Sequence, residues 1–158
     1  MRLRLYLTDE WKVTDQPHQR IAIIPGATPT KPAALLAWGR LAPTVPDEGA
    51  ILPSLLGVEL GANRLVLEAA EPQTTVDGWK YVVQSAQVVA GDTVVEERLA
   101  ALFSFAEYRG AVIARSFDIE RWPELAAMIR KAFSEATPDW RGDGEVVCVA
   151  HLYEPVVD

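Results

Sequence analysis

Thr93-Val94-Val95-Glu96-Glu97-Arg98-Leu99-Ala100-Ala101-Leu102-Phe103-Ser104-Phe105 is the stretch on which the fold turns. Leu99, Ala101, Phe103 and Phe105 fall on alternate positions, the period of two that puts side chains on one face of a β-strand. Turn dipeptides bound the run, Gly91-Asp92 before it and Arg109-Gly110 after it. Beyond them Trp79 to Val89 and Ala111 to Phe117 read as further strands, and Asp77-Gly78 separates the first of these from another over Arg64 to Ala70. Strands joined by such short turns pair with their neighbours in sequence, so this half of the chain predicts an antiparallel meander.

Working outward, Leu3, Leu5 and Leu7 alternate with Arg2, Arg4 and Tyr6 and predict a first strand. Arg20 to Ile24, stopped by Pro25-Gly26, and Ala34 to Leu41 are two more. Six of the eleven prolines lie between Pro25 and Pro53, a density that excludes long regular elements there. Within that tract Ile51 to Gly61 predicts a short helix, with Pro53 tolerated in its first turn and Gly61 as its stop. After the meander, Asp118 precedes a segment in which Leu125, Met128, Ile129, Ala132, Phe133 and Ala136 recur every three or four residues. That spacing predicts a long amphipathic helix ended by Pro138, and Glu145 to Tyr153 predicts a closing strand. The expected architecture is a single α+β domain over residues 1–158: an antiparallel meander with a long C-terminal helix and a short helix packed on it, in layers.

Composition narrows function by exclusion. Hydrophobic residues make up 49% and charged residues 23%, globular values. Net charge is −7, with acids scattered from Asp9 to Asp158, and such a field repels nucleic-acid phosphates and anionic lipid. No nucleic-acid partner and no membrane insertion are therefore expected. The opening residues lack a signal-peptide core and Cys148 is the only thiol, so the expected setting is cytoplasmic.

Three local stretches, Thr8-Asp9-Glu10-Trp11, Asp77-Gly78-Trp79 and Ile129-Arg130-Lys131-Ala132-Phe133-Ser134, together with the element order, resemble the PsbP-like fold shared by the DcrB-like proteins. The resemblance covers most of the chain but lacks a specific motif. It implies a binding or assembly module, and some DcrB-like members resemble chaperones that cover apolar segments of secreted effectors. No functional residue is carried over.

Candidate chemistry is sparse. Cys148 and His151 stand three apart on one expected strand, which points them to opposite faces and leaves Cys148 as a shielded structural thiol. Two histidines, His18 and His151, and one cysteine make no zinc-type spacing. Gly142-Asp143-Gly144-Glu145 reads as a turn rather than a calcium loop. Glu96 and Glu97, adjacent on a strand, face opposite ways and cannot converge on one substrate atom; Glu97 shares the face of Leu99 and Phe103, as an acid at the solvent rim of an apolar stripe. Catalytic residues, cofactor and metal are thus expected to be none.

Five tryptophans against four phenylalanines leave a surplus of interface-type residues. Trp11, Trp38 and Trp140 are the candidate partner-binding anchors, with Trp11 or Trp38 serving a face built by the sheet edge and loops of Arg20 to Leu60. The expected function is a non-enzymatic protein-binding module, an adaptor or chaperone-like domain with a protein partner. Two alternatives stay open: an acidic immunity or inhibitor-type protein, and a small-ligand carrier or enzyme whose pocket is assembled from distant residues. Homo-oligomerisation is also left open.

Overall fold

The computed structural model describes residues 2–16, 19–41, 48–105, 108–139 and 146–150. Eight strands form one sheet: β2 (Lys12–Gln16), β3 (Gln19–Ile24), β4 (Ala34–Arg40), β5 (Arg64–Leu67), β6 (Glu71–Thr74), β7 (Lys80–Ala90), β8 (Thr93–Phe105) and β9 (Tyr108–Ser116). Their order is β2-β3-β4-β9-β8-β7-β5, with β6 also on β7 beyond β5. The meander is antiparallel as expected, and β4 adds to its outer strand by pairing antiparallel with β9. Gly91 carries the φ of +62° that opens the two-residue turn between β7 and β8.

A second, three-stranded sheet sets β1 (Arg2–Leu7) between β10 (Thr137–Asp139), antiparallel, and β11 (Val146–Ala150), parallel. Cys148 pairs in register with Leu5. The environment of its thiol, together with His18, Trp140, Gly142 to Glu145 and His151, lies outside the described residues.

Two helices cover opposite faces of the large sheet. The first, α1 (Glu48–Leu56), sets Ile51, Leu52 and Leu56 on Ala86, Ala100 and Leu102. The second, α2 (Trp122–Ser134), sets Leu125, Ile129, Ala132 and Phe133 on the other face, in the core that also takes Leu3, Leu5 and Leu7 of β1. Phe133 meets Phe103 edge-on at 5.9 Å, and Phe103 stacks on Tyr81 at 5.1 Å.

Several expectations are corrected here. The second helix is neither long nor C-terminal: it has 13 residues, a length of about 20 Å, and two strands follow it. Asp118 does accept the Arg121 N–H, but the chain spends residues 119–121 in a turn, so regular helix starts only at Trp122 with Pro123 behind it. The first helix stops at Leu56, five residues before Gly61, and Pro53 sits in its interior rather than its first turn. Strands β2, β6 and β10 were not expected, and the closing strand lies in the small sheet, parallel to β1.

Phe133 is 1% exposed, so Phe133→Ala is expected to cost ~3–5 kcal/mol in chemical denaturation. An unchanged midpoint would contradict the packing of α2 on Phe103.

Candidate functional site

The central strand β8 is buried on both faces, and its charged residues divide between them. Glu96 and Arg98 point toward α1, whereas Glu97 points toward α2. Arg98 is fully buried. Its guanidinium donates to both carboxylate oxygens of Glu96, at 2.5 and 3.3 Å, to the Leu56 carbonyl at 2.8 Å, and to the Val58 carbonyl. Those carbonyls are the end of α1, which has no basic residue in its own last turn, so β8 supplies the cation that the helix terminus needs.

Arg115 of β9, directly across from Arg98, completes the cluster. It donates to Glu96 at 2.8 and 3.1 Å and to exposed Glu59 at 2.6 Å. Burial pushes the Glu96 carboxyl up, but the hydrogen bonds from Arg115 and Arg98 outweigh it and hold the group below the usual glutamate range. Its contribution to stability is therefore present above that range and lost as pH falls through the depressed value. Glu96→Ala, which strands a buried guanidinium, is expected to cost ~3–5 kcal/mol, and Glu59→Ala at most ~1 kcal/mol, in urea melts at pH 7. Equal losses would contradict the division between a buried and an exposed arm.

On the α2 face, β7, β8 and β9 form a polar row, Gln87 opposite Glu97 opposite Ser116, beyond the apolar rows. Glu97 is 8% exposed, so it is not the solvent rim expected from its place on the stripe. Gln87 Nε2 donates to Glu97 Oε1 at 2.8 Å. The other oxygen, Oε2, has no partner among the described residues. Burial pushes this carboxyl above the usual range, and the Gln87 hydrogen bond offsets only part of that.

Around Glu97 lies an open cleft of about 250 Å³ between β7, β8 and α2, lined also by Ser85, Glu68, Leu99, Trp122, Ala126 and Arg130. Arg130 also lines a second cleft, of about 370 Å³, beside Tyr81, Lys131 and Ser134. The Arg130 guanidinium pairs with Glu71 of β6 at 3.0 Å. A larger hollow of about 480 Å³, lined by Pro72, Lys80, Val82, Leu102 and Ser104, holds no buried carboxyl. The chemistry therefore concentrates in the α2 groove.

The tryptophan candidates fall elsewhere. Trp11 is 4% and Trp38 7% exposed, both in the core between the large sheet, β1 and α2, so neither presents an anchor on the surface of this structure. Trp140 is outside the described residues. Trp122, the first residue of α2, stands in the groove. Glu96 and Glu97 do face opposite ways. No group of three or more histidine, cysteine, aspartate or glutamate side chains could hold a metal ion among the described residues.

A similar fold occurs in solved structures. Cyanobacterial PsbP (CyanoP) from Synechocystis sp. PCC 6803 superposes with a TM-score of 0.58 at 13% identity over 83% of each chain. The fold is PsbP-like. LpqN of Mycobacterium tuberculosis, described as involved in cell envelope biogenesis, matches with a TM-score of 0.57 at 10% identity over 85% of this chain and 82% of that one. PA94 of Pseudomonas aeruginosa, a protein of unknown function, matches with a TM-score of 0.52 at 10% identity, over 82% and 98%. No family model and no curated protein sequence matches the chain. At these identities the PsbP-like likeness concerns the fold, and the site must be argued from this chain's own residues.

For Glu97 the sign is opposite to that of Glu96. Ionising it in the fold carries a cost that is absent below the usual glutamate range and complete above its raised value. Glu97→Gln, which keeps an acceptor for Gln87, is therefore expected to raise the melting temperature at pH 7 and to leave it unchanged below about pH 4. A variant less stable than the parent at pH 7 would contradict the assignment.

Proposed function

We propose that this PsbP-like domain is a non-enzymatic protein-binding module, accessory or chaperone-like, that receives a protein partner in the groove along α2. One observation carries this reading: two open clefts, with Arg130 in the lining of both, lie along the helix, one reaching Trp122 and the other Ser134. Enclosed pockets for drug-sized ligands occupy roughly 300–1,000 Å³ and surround their occupant. A shallow groove whose parts hold about 250 and 370 Å³ suits side chains of a partner better. Its wall residues Trp122, Tyr81 and Arg130 are the types that dominate binding energy at protein interfaces.

The reading places the partner on α2 rather than on the Arg20 to Leu60 face, because Trp38, the anchor expected there, is buried. The test is affinity capture from the native cell with the parent, two groove variants, Arg130→Glu and Ala127→Arg, and a control on the far sheet edge, Lys12→Glu. Each variant must first show the parent's melting temperature. A stoichiometric partner held by the parent and Lys12→Glu, but weakened tenfold or more by both groove changes, is the expected result. Full retention by the groove variants would overturn it.

A further inference from the structure

Glu97 is more than nine-tenths buried and lines the cleft, yet one of its carboxylate oxygens has no donor among the described residues. A buried carboxylate that lacks a donor is expensive unless something supplies one. The rest of the lining is mixed. The Ser85 hydroxyl can accept or donate, Glu68 brings a second carboxylate, one Gln87 amide N–H is given to Glu97, and the Arg130 guanidinium gives an N–H to Glu71. Trp122 gives the cleft an aromatic wall, and a cation within about 6 Å of such a ring is attracted to its face. Acceptors at the floor and a π-face at the side are the complement of an ammonium or guanidinium group.

Resting on the reading of the groove as the partner face, we infer that the Glu97 cleft seats the cationic head of a lysine or arginine side chain presented by that partner. The cleft holds about 250 Å³, less than an enclosing small-molecule pocket, and it is open, with Trp122, Ala126 and Arg130 of α2 in its lining, so a side chain can enter from a segment lying along α2. The net charge of −7 draws basic segments toward the protein before contact. Inside, the cation gives Glu97 Oε2 its missing donor, with Glu68 as a second, solvent-side counter-charge.

The test is a titration of the folded protein with N-acetyl-arginine methylamide, followed by ¹H–¹⁵N correlation spectra at pH 7. The neutral citrulline analogue, equal in shape, is the control. Expected are saturable shifts of the Trp122 indole N–H, the Gln87 side-chain amide and the Glu97 and Leu99 backbone amides. The citrulline analogue should leave them in place, and Glu97→Gln should weaken the response at least tenfold. Equal shifts from the neutral analogue, an equal response in Glu97→Gln, or no saturable shift at these groups would each overturn the inference. A partner that depends on the groove while the cleft ignores arginine removes this inference alone. A partner indifferent to the groove removes the reading beneath it.

Discussion

Strand β8 has no solvent face, and the rest of the fold follows from that constraint. From Glu96 to Phe103 every side chain is buried, so each of the two alternating sets needs its own cover. One set, Leu99, Ala101, Phe103 and Phe105, is closed over by α2 and β1; the other, Ala100 and Leu102, by α1. A sheet covered on both sides reads as a nearly continuous apolar run rather than an alternating one, and Leu99-Ala100-Ala101-Leu102-Phe103 is such a run. The polar residues of the strand, crowded at its start, then cannot be left to water and must find partners within the protein.

The α1 face answers that demand with charge. Two arginines directly opposite one another on β8 and β9 would repel, and Glu96 between them turns the repulsion into a hydrogen-bonded cluster. A cluster of this kind adds little net stability over well-packed apolar residues, because desolvating the ions costs about as much as pairing them returns. What it adds is position. A helix of nine residues with a proline in its interior has small intrinsic stability. Fixing its last carbonyls to a cation rooted in the central strand sets where it ends and which face it turns to the sheet. Glu59, held at a φ of +53° just after the helix, belongs to the same anchoring.

The legible parts of the sequence were those whose pattern is local. The limits of β8, the turn at Gly91-Asp92, the apolar stripe of α2 and the opposed directions of Glu96 and Glu97 all follow from periods of 2 and 3.6 and from turn chemistry. What was missed depends on the third dimension. Strands β2 (Lys-Val-Thr-Asp-Gln) and β6 (Glu-Pro-Gln-Thr) are short, largely exposed edge segments with no apolar stripe, and pairing alone defines them. The parallel contact of β1 with β11 joins opposite ends of the chain, beyond any local signal. The candidate site divides in the same way. Glu97 was recognised on the apolar face of its strand, yet only the arrival of α2 shows that this end of the stripe is enclosed. Trp11 and Trp38 lie beside polar and proline-rich sequence, which says nothing about the core they fill.

The two glutamates of β8 show how one strand separates support from recognition. Their chemistry is the same and they are adjacent in sequence, but Glu96 meets two guanidinium groups and Glu97 one neutral amide. The first is therefore held ionised and fully committed, whereas the second is pushed toward its neutral form and keeps an oxygen in reserve. Arg130 of α2 lines the same cleft and carries several donors. It pairs instead with Glu71 on the short edge strand. That ion pair is half exposed and stabilises the fold by at most ~1 kcal/mol, and it holds the guanidinium to Glu71 rather than to Glu97, the arrangement that the inferred cation site requires.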